Sequence, residues 1–166
     1  LNSELERLSD FVDSINFNNI YLSIDTYKPE VARFALQNGF SMINDIKSGG
    51  DDNAMFYLAV EFDCPIVLMH MKGDPSNMQN DPLYNDVLDD ILSFFEKKIK
   101  IAEKIGLKKN NIILDPGIGF GKRIEDNDRI ILNLKKIKQF DLPILIGLSR
   151  KSFLSIDDDA PELRLP

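Results

Sequence analysis

Cysteine and histidine are almost missing from this sequence: Cys64 is its one thiol and His70 its one imidazole. A single cysteine excludes a disulfide framework within the chain and points to a reducing, cytoplasmic compartment. Cys64 precedes Pro65 at the head of an apolar strand, so it reads as a small buried residue and not as a nucleophile. Positive charge is also in deficit, with 20 Lys+Arg against 27 Asp+Glu and a net charge of -7. Such a surface repels phosphate backbones, which argues against a nucleic-acid partner. Long apolar runs are lacking as well: the longest, Pro65 to Met71, is interrupted by His70. A bilayer span takes about 20 apolar residues, so no membrane partner is expected. There is no signal-peptide pattern, low-complexity tract, interdomain linker or short repeat. The first residue is Leu1 and not methionine, and the chain is expected to begin inside a longer protein.

What is present is a regular alternation of strand and helix patterns, read as one domain over residues 1–166. Leu5, Leu8, Phe11, Val12 and Ile15 recur at helical spacing from Ser3 to about Ser14. Strands are predicted at Ile20–Ile24, Phe40–Ile43, Ile66–Met69, Asn111–Leu114 and Ile144–Leu148. Between them, Thr26 is placed to cap a helix that has Pro29 in its first turn and ends at Asn38-Gly39. A helix near Ala54–Phe62 follows the second strand, and Asp81-Pro82 reads as cap and first position of a long helix closed by Gly106. A further helix spans about Asp126 to Phe140. Five consecutive βα units without an antiparallel signal fit either a doubly wound sheet or a piece of a (β/α)₈ barrel.

The most informative segment is Asp115-Pro116-Gly117-Ile118-Gly119-Phe120-Gly121-Lys122, which follows the apolar run Asn111–Leu114. A buried strand there delivers a carboxylate to its C-terminal end and passes into a glycine loop that a ligand can approach closely. Two familiar glycine motifs do not fit. A phosphate-cradling loop would need glycine where Pro116 stands and Ser or Thr where Arg123 follows Lys122; a dinucleotide fingerprint would need its third glycine at Lys122. A flat, hydrogen-bonding heterocycle suits the loop and Phe120; a strand-to-helix turn with glycines for geometry alone is the plainer alternative.

Asp25, Asn44, Asp115 and Lys151 fall at or beside the C-terminal ends of four different strands. In a barrel that face carries the active site. Two carboxylates and an amide accept hydrogen bonds from an aminopyrimidinone edge, Lys151 supplies compensating charge, and Ile46, Met69 and Phe120 could sandwich the ring. Each residue taken singly has a simpler role: Asp25 or Asp45 as helix cap, Asn44 as a turn residue, Lys151 as a solvated lysine, His70 as a hydrogen-bonded strand end. The run Asp157-Asp158-Asp159 lacks the spaced ligands of a metal site and reads as a solvated loop. The convergence of four strand ends favours the functional reading.

These residues resemble the dihydropteroate synthase family, the folate-pathway enzymes targeted by sulfonamides. The resemblance runs through Ser23–Ala32, Ile43-Asn44-Asp45-Ile46, Leu68–Gly73, Asp115–Lys122 and Gly147–Phe153, five ordered motifs covering nearly the whole chain. It implies an incomplete (β/α)₈ TIM barrel spanning about the third to seventh βα units. It implies that Asp25, Asn44, Ile46, Met69, Asp115, Phe120 and Lys151 bind a pterin, and that Gly119, Phe120, Ser149 and Lys151 receive p-aminobenzoate. Asp115 and Lys151 would be catalytic. The reaction would join 6-hydroxymethyl-7,8-dihydropterin diphosphate to p-aminobenzoate with loss of pyrophosphate, Mg²⁺ neutralising the leaving group.

The metal-holding Asn loop and the C-terminal Arg-x-His site of that family have no counterpart in these residues, so no metal ligand is assigned here and the chain by itself is expected to fall short of catalysis. Homodimers are common in the family, which makes a homodimer an expectation too. Two rivals share the barrel: the folate-binding domain of a methyltransferase, against which Ser149-Arg150-Lys151 and the Gly119-Phe120 wall argue, and a pterin-binding relative without turnover. A Schiff-base aldolase using Lys151 is a weaker third, since no pocket for a carbonyl substrate is evident.

Overall fold

The structure, a computed structural model, describes residues 1–17, 19–73, 82–149 and 151. Its elements run α1 Asn2–Ser14, β1 Ser23–Asp25, α2 Pro29–Gln37, β2 Met42–Asp45, α3 Ala54–Glu61, β3 Ile66–Met69, α4 Val87–Ile105, β4 Ile112–Asp115, α5 Ile124–Leu132 and α6 Leu134–Ile137. The four strands pair in parallel in the order β1-β2-β3-β4. A doubly wound sheet reverses its strand order at a switch point, and no such reversal occurs among the described strands. Right-handed crossovers in unreversed order put every helix on the same side of the sheet. That is the arrangement of a (β/α)₈ barrel, of which these strands form an arc.

The strand register assigns the two faces. Ile43 pairs with Ile66, and Ile66 with Ile112, and two residues further on Asp45, Leu68 and Leu114 continue the same side. All six are buried, and the five apolar ones sit in the main core with Ala32, Leu36, Phe56, Leu88, Ile91 and Phe95 from the helices. The opposite face carries Asp25 beside Asn44, Asn44 beside Val67, and Val67 beside Ile113. Met69 and Asp115, each two residues further along, complete that face at the strand ends.

Several sequence expectations shift in detail. The long helix starts at Val87 and not after Pro82, which lies outside any helix; Asp81 is not among the described residues. Its cap is Asp86, whose carboxylate accepts from the N–H groups of Leu88 at 2.9 Å and Asp89 at 3.3 Å. Val87 and Leu88 begin the buried stripe, so the cap that adjoins them sets the start. Thr26 does not cap α2. Its hydroxyl oxygen accepts from Lys28 N–H at 3.2 Å in the preceding turn, and Lys28 itself is the N-cap, with Pro29 at the helix start.

The helix expected over 126–140 divides at Asn133 (φ −121°), whose side-chain amide donates to the Arg129 carbonyl at 2.8 Å and competes with the helical ladder. The first strand is three residues long and the expected fifth strand reduces to one parallel bridge, Leu114 to Ile144. Leu114 N–H donates to the Pro143 carbonyl at 2.9 Å and Leu145 N–H to the Leu114 carbonyl at 2.8 Å. Pairing on one side only leaves residues 146–148 without ladder bonds among the described residues.

Candidate functional site

Asp115 ends β4 and is 8% exposed. Its backbone carbonyl accepts from His70 N–H at 2.9 Å, tying the exits of β3 and β4 together. One carboxylate oxygen accepts from Gly117 N–H at 2.7 Å. The loop that follows is pressed onto the backbone leaving β3. A Cβ on Gly117 (φ +69°) would lie 2.0 Å from the His70 carbonyl oxygen, and one on Gly121 (φ +59°) 2.4 Å from that of Lys72. The Tyr84 hydroxyl donates to the Gly121 carbonyl at 2.7 Å, and Gly119 N–H donates to the Asn127 side chain of α5 at 2.9 Å. The glycines are thus required by backbone-to-backbone packing as well as by their dihedral angles.

Beyond the loop, the Lys151 ammonium stands 4.3 Å from the centre of the Phe120 ring. A Cβ on Gly119 would come within 3.1 Å of the Lys151 side chain, so lysine, ring and glycine loop form one contiguous wall. Burial raises the Asp115 pKa, while the Gly117 N–H and the charges of Lys122 and Lys151 pull it back. Burial lowers the Lys151 pKa, and Asp115 opposes that shift. Lys122 is 4% exposed and donates to the carbonyls of His70 and Phe120, both at 3.0 Å. Burial brings it down to about 7 against the pull of Asp115 and Asp126. His70 is pushed down to about 3 by burial and then by Lys122, and its Nδ1 has no hydrogen-bond partner among the described residues.

A cavity of about 460 Å³ opens between the loops after β2 and β3 and the flank of α4. Ile46 and Met69 line it, together with Tyr27, Met71, Phe94 and Lys98. A buried carboxylate at the foot of a glycine loop and a partly buried ammonium over an aromatic ring suit a planar, polar heterocycle. The cavity that holds Ile46 and Met69 also takes in Lys47, Asp51 and Asp52 and is mixed in character.

A family profile described as "Pterin binding enzyme" matches residues 1–165 of the chain. The chain belongs to the pterin-binding enzyme family. A dihydropteroate synthase of Synechocystis sp. is 39% identical over 163 residues, which are 98% of this chain and 56% of that protein. The crystal structure of the Yersinia pestis dihydropteroate synthase with a sulfonamide drug superimposes with a TM-score of 0.90 at 36% identity, covering 97% of this chain and 59% of that one. The Xanthomonas albilineans dihydropteroate synthase in complex with 7,8-dihydropteroate gives a TM-score of 0.79 at 35% identity, over 87% and 53% of the two chains. The chain therefore spans a little over half the length of the relatives it matches.

Within this pterin-binding fold, the sequence-predicted residues fall into three places. Asp115, Gly119, Phe120 and Lys151 are brought together as described. Ile46 and Met69 share the cavity, and Asp25 and Asn44 lie side by side in register on the same sheet face as Met69 and Asp115. Asp25 is exposed, and Asn44 is held by its carbonyl, which accepts from Thr26 N–H at 3.2 Å. Ser149 is exposed, and Arg150 and Asp157-Asp158-Asp159 lie outside the described residues.

Sequence reasoning gave no role to Asn127, Tyr84 and Lys122, and read Asp45 as a helix cap, which it is not. Asp45, which follows Asn44 but faces the opposite side, is fully buried and accepts from Lys47 N–H at 2.8 Å and Gly49 N–H at 2.7 Å, shaping the loop that carries Ile46. Asn127 anchors Gly119, Tyr84 anchors Gly121, and Lys122 crosses between loops. The alternation of a strand was the signal available for Asp45: a polar pair at a strand end must send one member to each face.

Proposed function

We propose that this chain carries the pterin pocket of a dihydropteroate synthase, acting on 6-hydroxymethyl-7,8-dihydropterin diphosphate and p-aminobenzoate. The observation that supports this best is the shared sheet face of Asp25, Asn44, Met69 and Asp115, flanked by Lys151 over Phe120. The Asp115 carboxylate, and Asp25 and Asn44 on the same sheet face, accept N–H bonds from the aminopyrimidinone edge. Lys151 donates to a ring nitrogen or carbonyl and offsets the buried negative charge. Gly119, Phe120 and Ser149 bound the position of p-aminobenzoate. Its amine nitrogen attacks the exocyclic methylene, the carbon–oxygen bond to the diphosphate breaks, pyrophosphate leaves and the amine gives up a proton. With so good a leaving group, the protein acts mainly by positioning and polarising. Among the described residues no group of three or more His, Cys, Asp or Glu gathers to hold a metal ion; Mg²⁺ held on the substrate's own diphosphate would neutralise the leaving charge.

The setting in this reading is the cytoplasm, which suits the free, buried Cys64. No helix among the described residues is long and apolar enough to cross a membrane. A homodimer is the expected assembly, checked by light scattering on the purified protein. Incubation with the pterin diphosphate and labelled p-aminobenzoate tests the reaction: chromatographic appearance of labelled 7,8-dihydropteroate supports the synthase. Pterin binding without incorporation by this chain fits its expected shortfall in catalysis. The same assay on a chain of its relatives' length therefore separates a synthase, which incorporates label, from a non-catalytic pterin-binding barrel. Methyl transfer from a folate would favour the methyltransferase domain.

A further inference from the structure

Lys122 is the most buried lysine or arginine among the described residues, and the proposed reaction does not use it. Its side chain reaches from the end of the glycine loop to the exit of β3, where Nζ donates to the His70 carbonyl, while a second bond returns to the Phe120 carbonyl. Nζ also lies 3.3 Å from where a Gly117 Cβ would be, so the space it fills exists because residue 117 has no side chain. Two carbonyls leave the ammonium charge uncompensated. The charged groups that act on it are Asp115 on β4 and Asp126 on α5, both favourable, and Lys151, unfavourable. His70, whose carbonyl it binds, stays neutral at ordinary pH. A buried ammonium is costly, and a methionine or leucine would fill the same volume without that cost.

We infer that Lys122 is a positioning residue for the pterin pocket, fastening the glycine loop to the end of β3 and serving as the internal counter-charge to Asp115. This rests on the reading of Asp115 as a pterin ligand. When protonated, Lys122 both sets where Phe120 stands, through its carbonyl, and steadies the carboxylate that the heterocycle meets. Its influence is indirect: Lys122 itself does not touch ligand.

The test compares the full chain with Lys122→Met, which keeps the bulk and removes donor and charge, and Lys122→Gln, which keeps a donor without charge. Three readouts are taken: the carbon-13 titration of the Asp115 carboxyl, amide exchange at Gly119 and Phe120, and calorimetric binding of 6-hydroxymethylpterin. Both variants should titrate Asp115 at higher pH than the parent, because a neighbouring cation is gone. Exchange should accelerate more in the Met variant than in the Gln variant, and pterin affinity should fall about tenfold or more in the Met variant.

A purely structural lysine would leave the Asp115 titration unmoved. An unchanged titration and affinity in either folded variant would overturn the inference. A raised Asp115 titration in a chain whose parent binds no pterin would keep the Lys122–Asp115 coupling and overturn the pterin reading instead. Should the Met variant not fold, the Gln variant carries the same titration test.

Discussion

Gly117 and Gly106 both have positive φ, yet alanine should affect them very differently. At Gly117 a methyl group would sit 2.0 Å from the His70 carbonyl oxygen, backbone against backbone, so the loop has to move. Gly117→Ala is expected to cost about 3 kcal/mol and to abolish pterin binding. At Gly106 nothing lies within 4 Å, so Gly106→Ala bears only the left-handed backbone cost of about 1–2 kcal/mol and leaves binding intact. Urea midpoints with parallel binding assays check the pair; equal effects at the two sites would refute the backbone-packing account.

His70 supplies a pH signature. Its folded pKa of about 3 lies below the unfolded value of 6.5, so the unfolded chain takes up a proton in that window and the folded chain does not. His70 therefore costs nothing above the upper value and erodes stability by up to about 1.4 kcal/mol per pH unit as the pH falls through the window. His70→Phe should lose less stability than the parent between about pH 7.5 and pH 5. Equal losses in urea titrations at the two pH values would rule His70 out.

At this scale Asp115 at a strand end and Phe120 in a glycine loop were legible from local pattern, and the structure brings Lys151 to them. Lys122 was hidden. Its importance comes from crossing to a carbonyl 52 residues away, which no local pattern encodes.

Elements were legible wherever a periodic apolar stripe was long. α4 shows Val87, Leu88, Ile91, Phe95, Ile99 and Ala102 buried along one side, and its end at Gly106 follows from the left-handed C-cap. Its start was not legible, because Asp81-Pro82 and Asp86 offer the same capping chemistry and only burial of Val87 and Leu88 decides between them. Asp86→Ala should cost about 1 kcal/mol, since two helix N–H groups lose their acceptor. The accompanying Arg129 ion pair is half exposed, so Arg129→Ala should cost under about 0.5 kcal/mol. Thermal melts of both variants measure the difference, and an equal cost would assign the stability to the ion pair and not to the cap. The fifth strand was overread for a related reason: Ile144–Leu148 has a strand's composition, but a strand needs neighbours, and only Leu114 pairs with it here.

On the scale of the whole molecule, alternating strand and helix patterns left two architectures open, and strand order decided between them. That order depends on which strands meet in space, which composition and periodicity do not encode. Register then did what no single residue could, placing Asp25, Asn44, Met69 and Asp115 on one face and sending Asp45 to the other. The cavity lined by Ile46 and Met69 and the wall of Asp115, Phe120 and Lys151 follow from that arrangement and from the family to which the chain belongs.

The most direct test of the pterin pocket is a calorimetric titration of the chain with 6-hydroxymethylpterin beside its Asp115→Ala variant. Saturable binding by the parent, weakened about a hundredfold or more in the folded variant, is the expected result, as a buried charged acceptor is lost from the pocket. Equal affinity in the two, or no binding by a parent shown to be folded, would contradict it.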